Sequence, residues 1–346
     1  MNILVNGIGN IGTTLLNLLV DYKELLGIKN LYAKKRTLNQ WNIADLKALE
    51  QRGIIICAHR EAQQGFTPTF SSFVVYEDII ETIDYIFETS ANKIGNANKP
   101  HYAELTNLKG VSAQGSEKGF GTPFMSGINE DKIREEKFVH VVSCNTHASL
   151  SVLSTFGGNQ LENLEEADFV VVRRSEDLEN HQRLVCASVV ARHLDPIIGT
   201  HHAIDALDLL KTIGLNPRIT SSDVTTPSQL LHTFRFNLRL KQALTPTQVE
   251  NLLQQNPTVA VTDKFDSNKA FEFGRKYSRY GRLYAQMIVV KNNLLIQDNK
   301  IAGWAFIPQE GNTILSTLHA YLLQTGHPDT EIIMKKLQAE LILTEI

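Results

Sequence analysis

The first twelve residues constrain the fold more than any other part of the chain. Met1 to Val5 reads as a short buried strand, Asn6-Gly7-Ile8-Gly9-Asn10-Ile11-Gly12 follows, and Thr13 to Tyr22 carries apolar residues at helical spacing. Glycines at 7, 9 and 12 between a strand and a helix form GxGxxG. Gly7 permits the tight turn, Gly9 lets a pyrophosphate approach the backbone, and Gly12 lets the helix lie close on the strand. The helix N-terminus then presents free N–H groups to an anion. The competing reading is a glycine-rich turn with no ligand.

Later segments repeat the strand pattern at Gly27–Ala33, Gly53–Ala58, Ile83–Glu88, Val111–Gln114 and Val139–Val142. Strands separated by helical stretches imply an α/β, Rossmann-type, doubly wound parallel sheet, with ligands at the strands' C-terminal ends. An NAD-specific site carries an acidic residue after the second strand, but this chain reads Lys34-Lys35-Arg36. Cations there attract a 2′-phosphate, which favours NADP, or use of both NADP and NAD, over NAD alone. A solvated Lys/Arg loop is the bland alternative.

At 346 residues the chain suits two domains. A net charge of -3 gives no footprint for nucleic acid or an anionic membrane surface. The apolar N-terminus has no basic flank before Lys23, and asparagines and glycines interrupt it, which argues against a signal peptide or a membrane span. A soluble, cytoplasmic protein is expected. Three cysteines are too few for a disulfide scaffold and fit a reducing compartment.

Of the three, Cys57 and Cys186 stand in apolar runs and read as small buried hydrophobes. Cys144 stands where a strand ends and a helix begins, in Val141-Val142-Ser143-Cys144-Asn145-Thr146. A helix N-terminus favours the thiolate there, though a buried structural thiol is an equal reading from spacing alone. A thiolate beside a nicotinamide suggests aldehyde oxidation through a hemithioacetal and a thioester, with a base to take the hydroxyl proton. His201-His202 suits an anion, a metal or nothing. No His or Cys at i+3 or i+4 adds further ligands, so no metal site is expected. Arg173-Arg174 follows an apolar strand, and strand alternation lets only one of the pair reach a common site. His232, on spacing alone, reads as a core histidine.

The motifs taken together resemble the archaeal-type (type II) phosphorylating glyceraldehyde-3-phosphate dehydrogenases over nearly the whole chain. The likeness rests on Asn6-Gly7-x-Gly9-x-Ile11-Gly12, Gln114-Gly115-x-Glu117-Lys118, the Cys144 block, Val172-Arg173-Arg174, His201-His202, Pro227-x-x-Leu230-x-His232, Gly281-x-Leu283-Tyr284 and Gln309-Glu310. The resemblance implies Cys144 as nucleophile and His232 as general base. It implies Ser143, Asn145, His201 and His202 as substrate contacts, the two histidines holding substrate phosphate. Gly7, Gly9, Asn10, Ile11, Gly12, Lys34, Lys35, Gly115, Arg174 and Gln309 would serve the cofactor. The implied reaction takes D-glyceraldehyde 3-phosphate and inorganic phosphate to 1,3-bisphosphoglycerate with NADP or NAD, in a homotetramer. The alternatives are a dehydrogenase of another phosphorylated aldehyde and a non-catalytic NAD(P)-binding protein.

Several positions depart from the family pattern. His147 replaces a second Thr after Cys-Asn-Thr, the run Arg192 to Pro196 is unusual, Ile307-Pro308-Gln309 replaces a His-Gln, and Gly311-Asn312 replaces Ser-Asp. The expected domains are residues 1–142 for the dinucleotide and 143–312 for catalysis. The catalytic part is an α+β domain with a mixed or antiparallel sheet. The helical tail, 313–346, should pack back onto the first domain.

Overall fold

A computed structural model describes residues 1–115, 117–175, 187–227 and 230–346. Cys186 lies outside the described residues. The chain divides into two compact units. The first comprises Met1–Phe124, Glu130–Val141 and Ser316–Ile333, and the second comprises Met125–Asn129, Val142–Leu315 and Met334–Ile346. The tail is therefore shared, with residues 334–346 grouped in the second unit.

The first unit is built on β1 (Asn2–Asn6), β2 (Asn30–Lys34), β3 (Ile55–Ala58), β4 (Val74–Val75), β5 (Tyr85–Glu88), β6 (Gly110–Gln114), β7 (Thr122–Phe124) and β8 (Phe138–Val141). They form one sheet in the order β4-β3-β2-β1-β5-β6-β8-β7. Every pairing in it is parallel. The direction of strand addition reverses between β1 and β5, so their C-terminal ends flank the crevice where doubly wound sheets bind ligands. Ile3, Leu4 and Val5 are all buried, as a strand covered on both faces requires. In the tail helix Ile314–Gln324, Ala320 and Leu323 pack with Phe124, Ile133, Val139 and Val141. The Tyr321 hydroxyl donates to the Leu26 carbonyl at 2.7 Å.

The second unit holds β9 (Leu164–Arg174), β10 (Val189–Val190), β11 (Arg218–Thr226), β12 (His232–Leu240), β13 (Val259–Thr262), β14 (Met287–Val290), β15 (Leu295–Gln297) and β16 (Lys300–Ile307). The sheet runs β10-β11-β9-β12-β16-β14-β13, with β15 on β16. It is mixed, because β11 pairs β9 and β13 pairs β14 in parallel while β12 lies antiparallel to both of its neighbours. Phe234, Phe236, Leu238 and Leu240 alternate inward along β12 and join Leu150, Leu153, Ala206 and Leu210 of the helices in one core. The residues Leu283 to Val290 alternate in the manner of a strand, but the strand begins only at Met287; Leu283 to Ala285 are buried without joining it. Thr344 and Ile346 pair with Val261 on β13, at 2.9 and 3.0 Å. No helix among the described residues is long and apolar enough to cross a membrane.

Candidate active site

In the first unit the glycine turn has the geometry its sequence demands. Gly7 adopts φ +100°, and a Cβ there would stand 2.5 Å from the backbone of Ser90. A Cβ on Gly12 would stand 2.1 Å from the Gly7 carbonyl oxygen. The turn is thus closed against β5's exit loop, where the Thr89 hydroxyl donates to the Gly7 carbonyl at 2.6 Å. The helix Asn10–Asp21 starts from Gly9 in extended conformation with no side-chain cap. Its first N–H groups, from Asn10 and Ile11 onward, therefore suit an anion. Gly115, at φ +64°, follows β6 with open space around it. This cradle fits the pyrophosphate of a dinucleotide.

The two lysines after β2 separate. Lys35 Nζ donates to the Ile8 carbonyl inside the glycine turn at 2.8 Å. Lys34 is buried, with its ammonium 3.7 Å from the centre of the Tyr76 ring. Burial pulls its pKa below the ordinary lysine value. Strand alternation turns neighbouring side chains to opposite faces, so of the two lysines Lys35 is the one that reaches the glycine turn.

In the second unit Cys144 is the first residue of the helix Cys144–Gly157. Ser143 caps that helix, its hydroxyl accepting from the Thr146 N–H at 3.3 Å. Asn145 is buried, and its Oδ1 has no hydrogen-bond partner. His147 is fully buried and turns Nδ1 to the Ser143 carbonyl, 3.1 Å away. Asn312 was legible only as a departure in sequence; its Nδ2 donates at 3.0 Å to the carbonyl of Cys144 and at 3.0 Å to that of Gln286. It thereby ties the first turn of the cysteine helix to the segment leaving β16. Cys57 is buried in the first unit, and desolvation pushes its thiol up to about 12, as an inert core cysteine requires.

His232 opens β12, which pairs its first residue with Ile307 of β16. The backbone N–H of Arg174 donates to His232 Nδ1 at 3.0 Å. An Nδ1 that accepts cannot carry the proton, so the neutral ring holds it on Nε2. Burial, and then the charges of Arg174, Arg173 and His202, push the imidazole down to about 3. The ring is therefore neutral near pH 7 and presents Nε2–H. That conflicts with the expected role as general base, because the lone pair is already taken by the main chain.

Arg174 and Gln309, both expected at the cofactor, are buried against each other. With its amide oxygen turned to the guanidinium, Gln309 accepts from Arg174 Nε at 2.7 Å and Nη1 at 3.1 Å. Glu310 accepts from Arg174 Nη1 at 3.0 Å and also pairs with Arg282. Thr233 pairs with Val172, so His232 and Arg173, one step on, share a face while Arg174 projects to the other. Arg173, not Arg174, is the member of the pair on the histidine side.

Arg173 lies 3.9 Å from Asp223 Oδ2, and His202 Nε2 lies 3.0 Å from the same oxygen. The rings of His201 and His202 are 3.9 Å apart. Burial alone would raise the Asp223 pKa, but the His202 bond and the charges of Arg173 and His201 hold it below the usual value. The pair opens the helix His201–Lys211. Its Ala203 N–H is satisfied at 3.0 Å by Ser221 of β11. Gly199 precedes the pair at φ +95°, and a Cβ there would lie 2.1 Å from the Ser221 carbonyl oxygen. Asp223 was missed in the sequence, since it lies 21 residues beyond His202 and meets it only because the start of the histidine helix is bonded to Ser221 of β11.

No family model matches the chain. Curated proteins named glyceraldehyde-3-phosphate dehydrogenase are similar to it along most of its length. That of Saccharolobus solfataricus is 24% identical over 330 residues, 92% of this chain and 91% of the relative. That of Saccharolobus islandicus is 24% identical over 335 residues, 94% and 93% of the two chains. That of Sulfurisphaera tokodaii is 23% identical over 344 residues, 94% and 92%. The likeness is to proteins of that name as a group.

Proposed function

We propose that this chain is an NAD(P)-dependent phosphorylating dehydrogenase of D-glyceraldehyde 3-phosphate, producing 1,3-bisphosphoglycerate. The observation that carries the proposal is Cys144 at the first position of a capped helix, in a chain that also holds a dinucleotide cradle and is similar to dehydrogenases of that name. The field of the helix favours the thiolate.

The thiolate sulfur adds to the aldehyde carbon, and the carbonyl π electrons move onto oxygen. His232 Nε2–H donates to that alkoxide, and the Asn145 amide helps to orient it. A bound nicotinamide supplies the hydride acceptor. As the aldehydic C–H electron pair leaves, the alkoxide collapses to a thioester without needing a base. Inorganic phosphate then attacks the thioester carbon, and the Cys144 thiolate departs. His232 thus acts as an oxyanion donor and not as the proton acceptor.

His201, His202 and Arg173 hold the substrate phosphate, and Ser143 sets the helix turn under the thiol. Gly7, Gly9, Gly12 and the N–H groups of Asn10 and Ile11 hold the dinucleotide, with Gly115 beside the crevice and Lys35 reading a 2′-phosphate. Steady-state assays with glyceraldehyde 3-phosphate test the proposal, with and without inorganic phosphate and with NAD⁺ or NADP⁺. Turnover should require phosphate, and Cys144→Ser should abolish it while cofactor binding persists. A phosphate-independent rate, or an active Cys144→Ser variant, overturns it.

A further inference from the structure

We propose that His201, His202 and Asp223 form a binding site for a divalent metal ion of the zinc class. One donor atom from each lies within 4.8 Å of the other two. This is the single such group of three or more His, Cys, Asp or Glu found among the described residues. Two imidazoles and one carboxylate are the donor set of three-ligand zinc sites, which leave a fourth position open to water.

The second observation lies in the buried atoms. His202 and Asp223 are 1% and 3% exposed, yet His202 Nδ1 and Asp223 Oδ1 have no hydrogen-bond partner. Buried polar atoms left unpaired are costly and call for an explanation, an ion among them. Donor atoms around one tetrahedral zinc ion stand about 3.3–3.5 Å apart, given bonds of about 2.0–2.2 Å. His202 Nε2 and Asp223 Oδ2 bond to each other at 3.0 Å, which leaves His202 Nδ1 and Asp223 Oδ1 as the buried atoms with a lone pair to offer an ion, and His201 stands within 4.8 Å to add the third donor. The nearby cation, Arg173, has a side chain 41% exposed and free to turn toward water when an ion enters. Gly199 and the Ser221 bonds fix the helix start that carries both histidines.

The site stands on this geometry and does not need the dehydrogenase reading. If that reading also holds, ion and substrate phosphate exclude one another at the histidine pair.

The test is Zn²⁺ binding to the full chain, measured by competition with a chromophoric chelator in phosphate-free buffer. Circular dichroism checks each variant's fold. We expect one equivalent on the wild type and on Cys144→Ser, with affinity weakened about tenfold or more by Asp223→Asn and by His201→Gln. Asp223→Asn is nearly isosteric, and His201 is partly exposed, so at least the second variant should fold. No equivalent on the wild type overturns the proposal. So does an equivalent lost in Cys144→Ser and kept in His201→Gln, which would place the ion on the thiol. Because the readout is binding, a failure here leaves the aldehyde assay untouched, and the reverse also holds.

Discussion

At the scale of single residues, His232 shows how the main chain decides a side chain's chemistry. Its Nδ1 accepts from the Arg174 N–H, and burial pushes its pKa down to about 3 from an ordinary 6.5. Between those values the unfolded chain binds the proton and the folded chain does not. Stability therefore falls as pH drops from about 6.5 toward 3, by about 1.4 kcal/mol per pH unit for this one group. His232→Asn keeps an acceptor for the Arg174 N–H and removes both the titration and the Nε2–H donor. Urea midpoints at pH 7.5, 6 and 5 should show a shallower pH slope in the variant. Its kcat should fall about 10²–10³-fold, the scale of one lost oxyanion donor. An unchanged kcat would refute the donor role. The sequence pointed to this residue only through a resemblance, because spacing alone reads it as core, and it is in fact buried. Lys34 and Arg174 were both expected at the cofactor, but Lys34 is buried against Tyr76 and Arg174 against Gln309 and Glu310, each on the face opposite its neighbour.

At the scale of elements, local patterns were legible where the chemistry is local. Thr245-Pro246-Thr247-Gln248 reads as a helix start, and the helix Pro246–Gln255 begins there with a reciprocal capping box. The glycine turn and the Cys144 helix were legible for the same reason. Contacts between distant segments were not: Asp223 meets Arg173 because β11 runs beside β9, and meets His202 because the histidine helix starts against Ser221 of β11. The Gly199 turn joins the two kinds of information, since its φ of +95° and its approach to Ser221 need the absence of a Cβ. Gly199→Ala should destabilise the protein by about 1–3 kcal/mol in urea melts. It should also raise the KM for the phosphorylated aldehyde, because it displaces the start of the histidine helix. A variant with wild-type stability and KM would show that the loop is not what sets the pair.

At the scale of the whole molecule, the alternation of strand and helix foretold the parallel sheet of the first unit, and the mixed sheet of the second matches its alternating strands. The division of the tail was not foretold. Its apolar residues fit either unit, and only the pairing of Thr344 and Ile346 with β13 assigns the last stretch. That pairing covers the outer edge of β13, and uncovered edges recruit other chains. Deleting residues 342–346 should lower stability by about 2–4 kcal/mol, through the lost bonds to Val261 and Thr262 and the lost burial of Ile342 and Ile346. Light scattering on warming should then show earlier aggregation than in the full chain. Equal onset would mean that the edge is protected in some other way.

The bond from the Arg174 N–H to His232 has one more consequence. It is made by an atom common to nineteen amino acids, so replacing the Arg174 side chain leaves it in place. Proline alone removes it. The position of the ring's proton is thus inherited from how β9 lies against β12. It tolerates drift in the neighbouring side chain, and it changes only if two strands slide past one another.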